Sequence, residues 1–288
     1  MLTAASRTRL CLPSGKKCQG RRPPTSSLGP VLVLRPIVVT TAQNTVSQAS
    51  PRAMAIRSRD AAHKYFYLFM SLIFVAVIAY GFSFTIHKNL IHPAVPRPWI
   101  LYLHATVFSG WLVFLILQST LVRSGKVQWH RRIGWFGVAL GTLIPIVGVS
   151  TAIAMGRFNT VSLHYARAES DLIVPLFDMV CFTSTFPLAV YYRKRPELHR
   201  RLILVATCAL TAAGFGRFPE RILPPYLFYA GVDLLILLGV ARDLIVNRTV
   251  HRVYLFVLPS FILGQAVVTY ITFHNVPFWL KIAHGILG

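Results

Sequence analysis

Among the ionisable side chains that stand inside otherwise apolar runs of this sequence are His104, Asp178 and Asp233. A charge at the centre of a membrane-spanning helix costs about 2.5–3.5 kcal/mol on insertion scales, so such residues need a partner or a use. Asp178, in Leu176-Phe-Asp-Met179, and Asp233, in Gly231-Val-Asp-Leu234, each lie about eight residues from one end of their runs, roughly 12 Å along a helix. His104 lies about six residues in, near 9 Å by the same rise. Arg217, at the end of another run, is close enough to lean toward the same depth. An imidazole, two carboxylates and a guanidinium in one layer suit a proton relay, a divalent-metal site or a pocket for an anionic ligand. Trp111 and Gln118 follow His104 at intervals of seven and share its helix face, which completes the expected ligand-binding set. The competing reading is purely structural: interhelical hydrogen bonds worth about 0.6–2 kcal/mol each.

A second constellation repeats. Trp129-His130-Arg131-Arg132, Leu198-His199-Arg200-Arg201 and Val250-His251-Arg252-Val253 each follow one apolar run and open the next. Histidine and arginine at a helix start can simply reach to lipid headgroups and fix register. The chemical alternative is that His130 and His199 approach one another as haem or metal ligands.

The elements that position these groups follow from composition. The chain has 288 residues, 55% hydrophobic and 13% charged, where soluble domains carry about 25% charged residues. Runs long enough to span a bilayer, about 20 residues, fall near 65–86, 98–122, 133–155, 171–192, 202–218, 226–246 and 253–274. The expected fold is an all-α membrane protein of seven transmembrane helices, one helix plus three helical hairpins, with kinks at Pro145, Pro175, Pro187 and Pro259. The loops bearing the repeats hold Arg123, Lys126, Arg131, Arg132, Arg193, Lys194, Arg195, Arg200, Arg201, Arg242, Arg248 and Arg252, and the other side holds fewer basic residues. By the positive-inside rule this places the N-terminus in the cytoplasm and the C-terminus outside, in a cell (inner) membrane. The net charge of +22 is thereby explained by juxtamembrane loops that attract anionic lipid, and nucleic acid is excluded as a partner.

Residues 1–53 are a different material. They are basic, free of acids and without helical period, and read as a disordered leader preceding a working start at Met54, with a seven-helix domain over 54–288. A transit peptide is the alternative, since an Arg- and Ser-rich, acid-free N-terminus fits one. Cys11, Cys18, Cys181 and Cys208 show no CxxC or CxxCH spacing, so disulfide frameworks, zinc ribbons and covalent haem attachment are unsupported. No HExxH, GxSxG, P-loop or GxGxxG stands in a usable context.

The run His104, Trp111, Gln118, Arg123, then His130-Arg-Arg-Ile-Gly134, then Arg195-Pro-Glu-Leu-His199-Arg-Arg-Leu202 resembles a group of uncharacterised bacterial multi-pass membrane proteins. The resemblance covers residues 55 to the C-terminus and implies no activity. A weaker similarity is to transmembrane b-type cytochromes, whose histidines on four consecutive helices form two bis-imidazole pairs. That likeness implies haem b, with His130 and His199 as cofactor-binding residues. The fourth run carries Asp171 and Asp178 but no histidine, so His104 lacks the partner such a cytochrome would give it. Three functions are thus open: a binding or transport protein using the polar layer, a b-type redox protein, and an assembly protein without chemistry.

Overall fold

The computed structural model describes the backbone over residues 51–288 and side chains over residues 64–288. The expected leader lies outside the described residues up to residue 50, and the first helix begins within the last three positions assigned to it. In chain order the helices are α1 (Pro51–Ser83), α2 (Ile100–Arg123), α3 (Val127–Val161), α4 (Ala168–Asp171), α5 (Ile173–Tyr191), α6 (Pro196–Leu210), α7 (Ala212–Phe215), α8 (Phe228–Asn247), α9 (Arg252–His274) and α10 (Pro277–Leu287). No strand occurs among the described residues.

Six stretches are long and apolar enough to cross a membrane: Lys64–Ser83, Ile100–Arg123, Val127–Val161, Ala168–Lys194, Pro196–Phe215 and Arg252–His274. The seventh expected span coincides with α8, a helix of 20 residues that carries Asp233, Arg242 and Asp243, and by length and composition it does not join the six. Helices α3, α5 and α9 continue through Pro145, Pro187 and Pro259, while Pro175 falls in the first turn of α5, where a missing N–H costs little. Helix α10 was not expected, because its 11 residues are too few to span.

Helices α1, α2, α3, α5, α9 and α8 pack each on the next, and α8 returns to α1; α6 touches α1, α5, α8 and α9. The ring closes around α6. Of the span formed by α6 and α7, 67% is buried, against 17% to 39% for the other five. Its local sequence fits that place: Ala206, Thr207, Cys208 and Ala209 are small and buried, and small residues let neighbouring helices approach closely where lipid gives no hydrophobic push between them. Helix α1 lies backbone to backbone on α7, where a Cβ at Gly81 would collide with the backbone carbonyl of Gly214. Outward faces carry large apolar side chains, Val113, Phe136, Phe256 and Leu263 among them, all more than 60% exposed. A soluble monomer does not expose so much apolar surface, and the chain is a multi-pass, membrane-embedded helical protein.

The loops α2–α3, α5–α6 and α8–α9 gather at one end of the bundle, called the basic end below. At the other end α10 lies on α3 and α4. It buries Ala283 and Leu287 against Leu172 and is tied by three contacts: Arg157 to the carbonyl of Ile286 (2.8 Å), Trp279 Nε1 to the carbonyl of Glu169 (3.0 Å), and His284 to the Glu169 carboxylate (2.9 Å).

Candidate functional site

The heptad spacing on α2 does select one face: Trp111 and Gln118 are buried there. Trp111 Nε1 donates to Thr207 Oγ1 of the central helix at 3.3 Å, and both amide atoms of Gln118 are buried without a partner. His104, half-buried, stacks on Phe108 with ring centroids 3.9 Å apart, and its Nδ1 has no partner. Arg217 donates to the carbonyl of Ala213 and lies 4.2 Å over the Phe82 ring. It is also the charge that His104 feels most.

Helix α8 carries one carboxylate and touches the other. Asp178 of α5 is 7% exposed and accepts a 3.1 Å bond from the hydroxyl of Tyr229, while Asp233 stands four residues further along the same helix, hence on the same face. Gln265 of α9 lies near the Asp233 carboxyl, whose Oδ1 is buried without a hydrogen-bond partner. The result is a polar seam through α5, α8 and α9. Among the described residues no hydrogen bond or ion pair joins His104 or Arg217 to either carboxylate. Asp171, seven residues before Asp178, pairs with Arg167 (3.4 Å) and Tyr165 (3.0 Å) near the surface. A shallow depression lined by Thr160, His164, Tyr165 and Glu169 contains none of the expected site residues.

The three sequence repeats turn out chemically unlike. His130 and His199 come together from α3 and α6, ring centroids 6.3 Å apart and planes at 72°. His199 Nδ1 lies 2.8 Å from the carbonyl of Ala189, which fixes its N–H there and leaves Nε2 free to accept or ligate. His130 Nδ1 is buried without a partner. His251 does neither: it caps α9, its Nδ1 accepting the amide of Val253 at 3.2 Å.

No family model, curated protein or solved structure matches the chain. What the site can do must come from its own groups.

The feature that sequence reasoning missed lies at the basic end. Arg201 and Arg242 were read as loop charges, and both are buried, at 1% and 2% exposure. Arg201 binds Asp243 through Nε to Oδ2 (2.8 Å) and Nη2 to Oδ1 (2.6 Å), and its Nη1 reaches the carbonyl and carboxylate of Glu197, both at 2.6 Å. Asp243 Oδ1 also accepts from Arg242 Nη1 and Asn247 Nδ2. An acid directly after Arg242 inside an apolar helix was the available signal, since a juxtamembrane topology charge needs no adjacent carboxylate. Among the described residues no group of three metal-type side chains occurs, so a metal at His130 and His199 would need its remaining ligands from a macrocycle or from solvent.

Proposed function

We propose that the chain is a polytopic membrane protein that moves or binds protons or a small polar solute through the seam of Asp178, Tyr229, Asp233 and Gln265, with His104 and Arg217 beside it. The observation that carries this reading is Asp178. It is buried at membrane depth with a single neutral hydroxyl as its partner, and an isolated carboxylate there would be far too costly to keep ionised. A carboxyl held without a cation is a proton carrier, and Tyr229 gives it a neighbour able to pass that proton toward Asp233. On this proposal α8 is the seventh span, its carboxyl groups facing the bundle rather than lipid, and the basic end faces the cytoplasm by the positive-inside rule. The motif likeness to bacterial multi-pass proteins belongs to the same proposal.

The test is reconstitution of the full chain in vesicles holding a pH-sensitive dye, with an imposed potassium-diffusion potential. Proton entry should exceed that of protein-free vesicles and disappear in Asp178→Asn, which keeps size and hydrogen bonding. Equal entry in parent and Asn variant removes the proton reading.

A second reading has its own observation. His130 and His199 stand with ring centroids 6.3 Å apart, close enough that both imidazoles could hold one metal at about 2.0–2.1 Å each. The anchoring of His199 by Ala189 is the outer contact such a ligand requires. His130 and His199 would hold a haem b, which would supply one-electron transfer. A purified protein with no visible absorption band and no bound metal excludes this reading.

A further inference from the structure

Arg201 and Arg242 are buried alike, each side chain 1% exposed, yet their bonding differs sharply. Arg201 is saturated by Asp243 and Glu197. Arg242 makes one bond, 2.9 Å to Asp243 Oδ1, an oxygen that already accepts from Arg201 and Asn247. Its Nε and Nη2 are buried without a partner, and so are Nε of Arg200 and the hydroxyls of Tyr67 and Tyr254.

These orphans are neighbours. The guanidinium groups of Arg242 and Arg200 lie 5.7 Å and 5.5 Å from the centroid of the same Tyr67 ring. The Tyr254 hydroxyl rests against Gly239, where a Cβ would strike it, and Gly239 precedes Arg242 by one turn on α8. Tyr254 is also within electrostatic reach of Tyr67, Arg201 and Asp243. Four helices, α1, α6, α8 and α9, thus converge on a set of donors that lacks an acceptor. Charge makes the same point: Arg200, Arg201 and Arg242 face only Glu197 and Asp243 in the ion-pair network, one cation in surplus. A buried charged donor left unmade is costly, and a half-satisfied buried network is worse than an apolar one.

We propose that this cluster binds one phosphate-type anion. The Nε and Nη2 of Arg242 form the side-on fork that matches two phosphate oxygens, and Arg200 Nε with the Tyr67 and Tyr254 hydroxyls supplies donors for the rest. A phosphate spreads its oxygens tetrahedrally toward donors on four helices, whereas a carboxylate directs its two in one plane. The group is either the headgroup phosphate of an anionic lipid at the membrane surface or a free phosphate from solution.

The experiment measures the thermal unfolding midpoint of the full chain. One arm titrates inorganic phosphate against chloride at constant ionic strength in detergent. The other compares phosphatidylcholine vesicles with and without phosphatidylglycerol. The midpoint should rise in one arm by linkage: with inorganic phosphate if the ligand is free phosphate, only with phosphatidylglycerol if it is a lipid headgroup. Arg242→Gln should abolish the rise. Tyr254→Phe, which keeps the ring and the packing, should raise the half-maximal concentration about tenfold, the loss of one hydrogen bond to a charged group. No rise in either arm, or a rise undiminished in both variants, overturns the proposal and leaves these donors to water.

Discussion

Arg201 grips Asp243 in a two-pronged ion pair across 42 residues of sequence, with one side chain 1% and the other 0% exposed. The pair joins the central helix α6 to α8, so the charges on the most enclosed helix are also what hold its neighbour in register. A buried pair of this kind is weak support for net stability, because desolvating both ions offsets most of their attraction. It is strong support for dependence of each partner on the other.

Removing one partner should therefore be far worse than removing both. Arg201→Met or Asp243→Leu alone should destabilise by about 3–5 kcal/mol, and the double variant by much less. Denaturant unfolding in detergent decides it. Strictly additive losses would mean the two groups do not rely on each other.

Gly81 tests the crossing of α1 on α7. A methyl group there meets backbone, which cannot rotate away, so Gly81→Ala should cost about 1–3 kcal/mol by overpacking. Gly110, on α2, has nothing within 4 Å of its would-be Cβ, and Gly110→Ala should be neutral or slightly stabilising through helix propensity. Melting curves that rank the two variants the other way would place the close approach elsewhere.

His251 brings a pH dependence with a definite sign. Burial, and then the nearby Arg201 guanidinium, hold its imidazole below the ordinary value, and the cap it forms needs an unprotonated Nδ1. The folded protein thus favours the neutral ring and the unfolded chain binds more protons. Stability from this group is fully present above about pH 6.5 and is lost as pH falls from there through the folded-state value. His251→Asn retains a capping side chain that does not titrate. The parent's melting midpoint should fall more steeply than the variant's between about pH 6.5 and pH 5, and parallel curves would show that the cap plays no part.

These residues also mark how far sequence reasoning reached. Burial of Trp111 and Gln118 was legible because a period of seven keeps residues on one helix face. The approach of His130 to His199 was one of two readings of the shared His-Arg-Arg turns, the other being contact with headgroups, and the turns alone did not choose between them. The burial of Arg201 and Arg242 was not legible. Near a helix end a lone Arg looks like a topology signal whether it faces headgroups or a carboxylate, and only packing decides which. Helix α10 escaped for a different reason: without a spanning length, its amphipathic pattern gains meaning only from the α3 and α4 surface it covers. The same ambiguity hid the enclosure of Asp243, which the reading of α8 as a span did not single out.

The inner histidines separate a ligand role from a packing role. If His130 and His199 only fill space, His130→Gln and His199→Gln should keep yield and melting temperature near those of the parent, singly and together. If they share a metal, either change alone should remove most of the bound metal or visible absorption, as losing one of two axial ligands must. Spectra and elemental analysis of the purified variants distinguish the two outcomes.

The enclosure of α6 also sets a problem of timing. During synthesis this helix emerges before α8 and α9, the helices that later cover two of its sides, and Arg201 emerges 42 residues ahead of Asp243. At about 5–20 residues per second, the arginine waits roughly 2–8 s for its carboxylate. Throughout that interval the least apolar of the six spans, with a mean hydropathy of 1.2, carries an arginine whose buried partner has not yet been made. A break in the chain between α6 and α8 would leave Arg201 buried without Asp243, the uncompensated charge that a buried pair penalises most.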